Sequence, residues 1–365
     1  MPRVAVRAAP PTDTTLIPPY PSAPRSRARR RTLPWIVGSL GCLLALSAVL
    51  RGTRGEAEAR RSLMLREGEL LGFLARDLST PNDRGGATAG GAADAAPAWR
   101  DVLAALEGAS ALDRSGAPRL PSIHKDARLA GSLSTALGAR GFTPFNRPDE
   151  IVTDPWSRRA AIFASLLANG CANATERGAW LDAAVALAAD LRSVGTLAGA
   201  GAAAALEESA ARRLQRDGPL PAADVQRLVE RLRAAQRRLP SSECVALRET
   251  RALQATVCAL ADVAPLTGAA LRSENEPPVA LLSADEAVTR LDRLPDFLGP
   301  LLSDESLPRA ATDWSDFVDD FARRLPRLAT LLPSTEAIAA GASAPARLDH
   351  LLALLGARPL GETAR

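Results

Sequence analysis

Residues 222 to 240 read AADVQRLVERLRAAQRRLP. Val225, Leu228, Val229, Leu232 and Leu239 fall on one stripe, set against the arginine-rich face of Arg227, Arg231, Arg233, Arg237 and Arg238. A period near 3.6 suits a helix and cannot be laid on a strand, whose faces alternate every two residues. Pro240 ends the helix because it supplies no amide and clashes with the preceding turn.

The same punctuation recurs in both directions. Downstream, Ser241 or Ser242 caps a helix reaching about residue 263, and Ser283-Ala284-Asp285-Glu286 forms a capping box for another. Trp314, Phe317, Val318, Phe321 and Leu325 mark a further helix, stopped by Pro326. Upstream, a helix over 196 to 216 closes at Asp217-Gly218-Pro219. One over 175 to 194 carries Trp180, Leu181, Ala184, Val185, Ala188 and Leu191 on one face. Asp154-Pro155-Trp156 places a cap before a proline at the first helical position, and that helix runs to Asn169-Gly170. No alternating strand pattern appears, aromatics are 4% of the chain, and Ala and Leu fill most apolar positions. The expectation is an all-α protein. The pairs 175 to 217 and 221 to 263 have the length of helical hairpins but share no motif, so a bundle and an irregular hairpin array both fit. Residues 114 to 153, with Pro118, Pro121, Pro144 and Pro148, read mostly as loop draped over the core through Phe142 and Phe145.

Charge locates the N-terminal region. Of the 45 basic residues among 365, Lys125 is the one lysine, a bias that points to a GC-rich bacterial genome. The first 32 residues carry seven arginines and one acid, a balance of +6 against +4 for the whole chain. Residues 33 to 50 are uncharged, so residues 51 to 365 sum to −2 and give no basis for nucleic-acid binding. Residues 32 to 50, TLPWIVGSLGCLLALSAVL, span about 28 Å as a helix, enough to cross a bilayer core. Trp35 at one end and the cluster Arg25, Arg27, Arg29, Arg30 and Arg31 before it place the N-terminus in the cytoplasm. A cleaved signal peptide fits less well, because the basic region is long and Ala57-Glu58-Ala59 lies late. Cys42 sits mid-span and lacks the leucine three residues before it that a lipoprotein needs.

The expected organisation is a disordered Pro/Arg-rich cytoplasmic tail (1 to 31), a transmembrane helix (32 to 50), a juxtamembrane helix (51 to 79), a Gly/Ala-rich linker (80 to 98) and an α-helical extracytoplasmic domain (99 to 365). Gly38/Cys42 and Gly41/Ala45 are small pairs through which two copies could associate as a homodimer.

Nothing marks an active site. His124 and His350 have no metal-ligand spacing, and there is no nucleophile elbow, phosphate-binding glycine loop or CxxC. His124-Lys125-Asp126 mixes base, cation and acid but reads as solvated surface. Asp313, Asp316, Asp319 and Asp320 resemble a magnesium-binding run, yet they read better as acids in the first turns of a helix with arginines following. Glu249 continues the apolar stripe Ala246, Leu253, Val257, Leu260, which calls for burial against a neighbouring arginine. Of Cys171, Cys244 and Cys258, the last two are about 21 Å apart along one helix, so a disulfide requires Cys171. No catalytic, cofactor or metal residue is assigned. The sequence points to a non-catalytic scaffold of the bacterial envelope with an envelope protein partner, and alternatively to a ligand-binding domain or enzyme with its pocket between helices.

Overall fold

The computed structural model describes Glu69 and residues 94–112, 118–144, 155–263, 284–303, 307–324 and 331–356. The chain divides into units at 1–56 and 57–365, and the first lies outside the described residues. The expected tail, span and Phe145 therefore lie outside them too, as does all of 51 to 93 except Glu69. Among the described residues no helix is long and apolar enough to cross a membrane.

The described part is all-α, and its contacts to β structure amount to two isolated bridges, Asp94 to Gly141 and Leu120 to Cys171. In chain order the helices are α1 (Ala96–Leu112), α2 (Ala127–Gly138), α3 (Pro155–Asn169), α4 (Arg177–Ser193), α5 (Leu197–Arg216) and α6 (Ala222–Arg237). They continue as α7 (Ser242–Val263), α8 (Ala284–Leu291), α9 (Leu294–Ser303), α10 (Leu307–Arg324), α11 (Thr335–Ala342) and α12 (Ala344–Leu354). Gly170 follows α3 with φ 105°, a left-handed value that favours glycine at a helix C-terminus. Thr196 caps α5 by accepting from the Gly199 amide.

α5 is the hub: it packs on α3, α4, α11 and α12. α4 lies beneath it and is buried on almost every side, so the stripe of Trp180, Leu181, Ala184, Val185, Ala188 and Leu191 is only part of what it buries. Two expectations are corrected here and one is refined. Within the described part of the segment 114 to 153, residues 118–144, a helix stands where loop was expected: Asp126 accepts from the Arg128 and Leu129 amides and starts α2, which buries Leu129, Leu133 and Ala136. Phe142 does reach the core, edge-on to Trp156 at 5.3 Å. Residues 221 to 263 are not a self-packed hairpin: α6 packs on α4 and α12, and α7 on α8 and α9. Among the described residues α6 and α7 thus pack chiefly on helices other than each other. Finally, Ala95 and Ala96 are fully buried and α1 starts at Ala96, so the folded unit begins before Trp99.

Candidate functional site

Two concavities lie near α11 and α12. The larger is a groove of about 650 Å³ whose floor includes Leu301, Trp314 and Ile338. α9 packs on both α10 and α11 and holds them as facing walls. An aromatic row fixes α9 to α10, with Phe297 4.9 Å from Phe317 and Phe317 5.8 Å from Trp314. The opposite wall is fixed because α11 and α12 pack on α5. Small residues on the walls, among them Ala311, Ser315, Ala339 and Ala346, leave the space open. The floor side chains are apolar and each is 5% exposed, so the groove can receive hydrocarbon, while Ser315, Thr335 and Ser343 add hydroxyls to its lining.

The smaller cavity, about 210 Å³, is lined by Arg192, Thr196, Ala200, Val245 and others, and shares Ala342 with the groove. Behind it lies a buried charge cluster. Glu207, 2% exposed, pairs with Arg192 Nη2 through one oxygen and with Arg347 Nε through the other, the latter at 3.2 Å. Arg347 also donates to Ser343 Oγ and the Ala340 carbonyl. Further along α4, Asp182 is gripped at both oxygens by Arg231, at 2.5 and 3.1 Å. Asp190 accepts from the Trp99 indole at 2.9 Å and lies 3.8 Å from Arg238.

These contacts change the reading of α6. Its arginines are not simply a solvated face, because Arg231 and Arg238 turn inward to neutralise acids on the buried α4. Arg227, exposed, pairs with Asp224 in the same helix. Glu249 is buried as its spacing requires, and a helix terminus is among its partners: Oε2 accepts from the Leu197 amide at 2.8 Å. Its neighbour Arg248 donates to the Ser193 and Val194 carbonyls at 3.2 and 2.9 Å. One turn of α7 thus supplies an anion to the start of α5 and a cation to the end of α4.

His124 and Lys125 are exposed and Asp126 is occupied as the cap of α2. What organises that segment is Glu176, which accepts from Ser122 Oγ, the Ile123 amide and the His124 amide at 2.8, 2.8 and 3.0 Å. Burial pushes the Glu176 carboxyl up, but the three donors outweigh it and hold the group below the ordinary glutamate value. The acidic run is misplaced by sequence reasoning, since α10 begins at Leu307 and the acids are not in its first turn. Asp320 does pair with the arginine that follows it at i,i+4, Arg324 at 3.1 Å, and also with Arg290 of α8. Among the described residues no group of three or more His, Cys, Asp or Glu could hold a metal ion. Among the described residues Cys171, Cys244 and Cys258 form no disulfide, and burial pushes the Cys171 thiol up to about 11.

Sequence reasoning missed Arg192, Glu207, Asp182 and Asp190 because it gave α4 a single buried face and assigned none to α5. No family model, curated protein or solved structure matches the chain.

Proposed function

We propose that the protein is a membrane-anchored, non-catalytic binding protein of a bacterial envelope. Residues 32 to 50 tether it, the N-terminus lies in the cytoplasm, and the helical domain outside binds an apolar or amphipathic small molecule between its helices. The groove at Trp314 carries this reading. Its volume of about 650 Å³ falls within the range of small-molecule sites. Among the described residues Leu247 is the one large hydrophobic side chain that is exposed, so these residues present no broad apolar patch of the kind a flat docking face has. The arginine flank of the uncharged stretch supports the tether and its direction.

A second reading, an envelope scaffold, is favoured by one observation: the groove is a slot between two helices, the shape that receives side chains of a partner's amphipathic helix. Homodimerisation through Gly38/Cys42 and Gly41/Ala45 is compatible with either reading.

The test purifies the full chain in detergent beside Ala339→Phe, which fills the groove from an exposed wall position. Mass spectrometry of the solvent extracts is expected to find a molecule that accompanies the wild type and is lost from the variant, at equal melting temperature. Identical extracts from the two proteins count against the ligand reading.

A further inference from the structure

The floor of the groove holds one polar group that no described residue meets. Three of the four tryptophans among the described residues give their indole N–H to a protein acceptor: Trp99 to Asp190 Oδ2 at 2.9 Å, Trp156 to the Pro144 carbonyl at 2.8 Å and Trp180 to the Pro121 carbonyl at 3.2 Å. Trp314 is the fourth. It is 5% exposed, lines the groove, and donates to none of the described residues. Its Nε1 is not sealed inside the protein as Arg192 Nε and Nη1 are, so a molecule in the groove can reach it. An indole nitrogen donates only, and a buried one normally has an acceptor, because leaving it unmet forfeits the hydrogen bond it made to water. Leu301 and Ile338, which share the floor with Trp314, carry no side-chain acceptor.

Given the small-molecule reading of the groove, on which this rests, we propose that the ligand is a neutral acyl compound, an ester or amide. Its carbonyl accepts from Trp314 Nε1 while its hydrocarbon chain lies along Leu301, Ile338 and Val318. Charge at the rims selects a neutral group over an anionic one. Asp319 stands one turn beyond the lining residue Ser315 on α10, Glu336 follows the lining residue Thr335 on α11, and both acids are exposed. The arginines close to these residues in the chain are engaged elsewhere. Arg323 gives Nε to the Asp319 carbonyl at 3.3 Å, and Arg347 is committed to Glu207, Ser343 Oγ and the Ala340 carbonyl. A free carboxylate would thus enter between two acids, whereas an ester or amide carbonyl brings the missing acceptor without a charge. The hydroxyls of Ser315 and Thr335, on opposite walls, serve the rest of the polar head.

The experiment is calorimetric titration of the full chain in digitonin, a detergent with no alkyl chain to fill the groove, with Ala339→Phe in the same detergent as the blank. The probes share a short chain and differ at its end. Methyl hexanoate and N-methylhexanamide carry a neutral carbonyl, sodium hexanoate a carboxylate, and hexyl chloride no effective acceptor. At least one carbonyl probe is expected to bind about fivefold tighter than hexyl chloride, the gain of one net hydrogen bond, and tighter than hexanoate. Trp314→Phe keeps an aromatic ring but removes the donor, and it abolishes the preference for the carbonyl over the chloride. Should that variant fail to fold, the wild type isotope-labelled at its indole nitrogens answers by NMR: a carbonyl probe moves one indole proton further downfield than hexyl chloride does. Equal binding of the carbonyl probes and hexyl chloride above the blank overturns the assignment and leaves the groove a hydrocarbon site with water on the indole. Tightest binding by hexanoate, or a preference that survives in Trp314→Phe, overturns it as well. If no probe binds beyond the blank, the assignment falls together with the small-molecule reading beneath it.

Discussion

Glu249 accepts the Leu197 amide at 2.8 Å while 8% exposed, and Arg248 beside it holds two carbonyls across the same turn. Glu249→Ala removes the acceptor and leaves a buried amide without it, so it is expected to lower stability by about 1–3 kcal/mol. Thermal unfolding checks this, and an unchanged midpoint contradicts the role given to the residue. Gly199 sits in the same junction. A Cβ there would stand 2.5 Å from the Leu191 carbonyl oxygen, a backbone atom held in α4. Gly199→Ala is therefore expected to destabilise by about 1–3 kcal/mol, against the usual gain from Gly to Ala in a helix. The Cys171 thiol, pushed up to about 11 by burial, stays protonated at neutral pH. It should alkylate slowly with iodoacetamide at pH 8 in the folded chain and quickly after unfolding. The burial of Glu249 was legible from its place on an apolar stripe. The Leu197 amide it meets was not, because a helix terminus on another element leaves no mark in the local sequence. Arg192 and Glu207 were hidden for a related reason: each lies 15 residues from the other, and a stripe analysis assigns polar residues to the solvent side.

At the scale of elements, Glu176 ties the 122 to 124 segment to the start of α4, and so positions α2 against α1 and the core. Its carboxyl is depressed in the folded state, so its contribution is present above the unfolded glutamate pKa of about 4.3 and is lost as pH falls through the lower folded value. Glu176→Gln should thus destabilise the protein at pH 7 and matter progressively less as the pH drops below about 4. Urea unfolding at the two pH values measures it, and equal losses at both contradict it. The helices that were read correctly from sequence are those with strong stops: Pro240 after α6, Gly170 after α3, Asp217-Gly218-Pro219 after α5. α2 was missed because prolines on either side outweighed a short amphipathic run, although Asp126 followed by Leu129, Leu133 and Ala136 was a usable signal. α6 and α7 looked like a hairpin because of their short connection, but apolar side chains on both are drawn to other elements, α4 and α12 for one and α8 and α9 for the other.

For the whole molecule, the all-α class followed from composition and period, whereas the groove did not, since it is made by small residues on α10, α11 and α12 that no stripe analysis singles out. The proposed topology makes a simple prediction. A reporter enzyme that matures only outside the cytoplasm should be active when fused after residue 365 and inactive when fused before residue 1. The binding reading is tested most directly by placing a photo-crosslinking amino acid at Val318, a half-buried groove position, in the full chain in living cells, with Glu336 as an exposed control. The expected result is a discrete adduct from Val318 and none from Glu336, a small mass increment identifying a ligand and a larger one identifying an envelope partner. Equal, heterogeneous labelling from both positions contradicts a binding role for the groove.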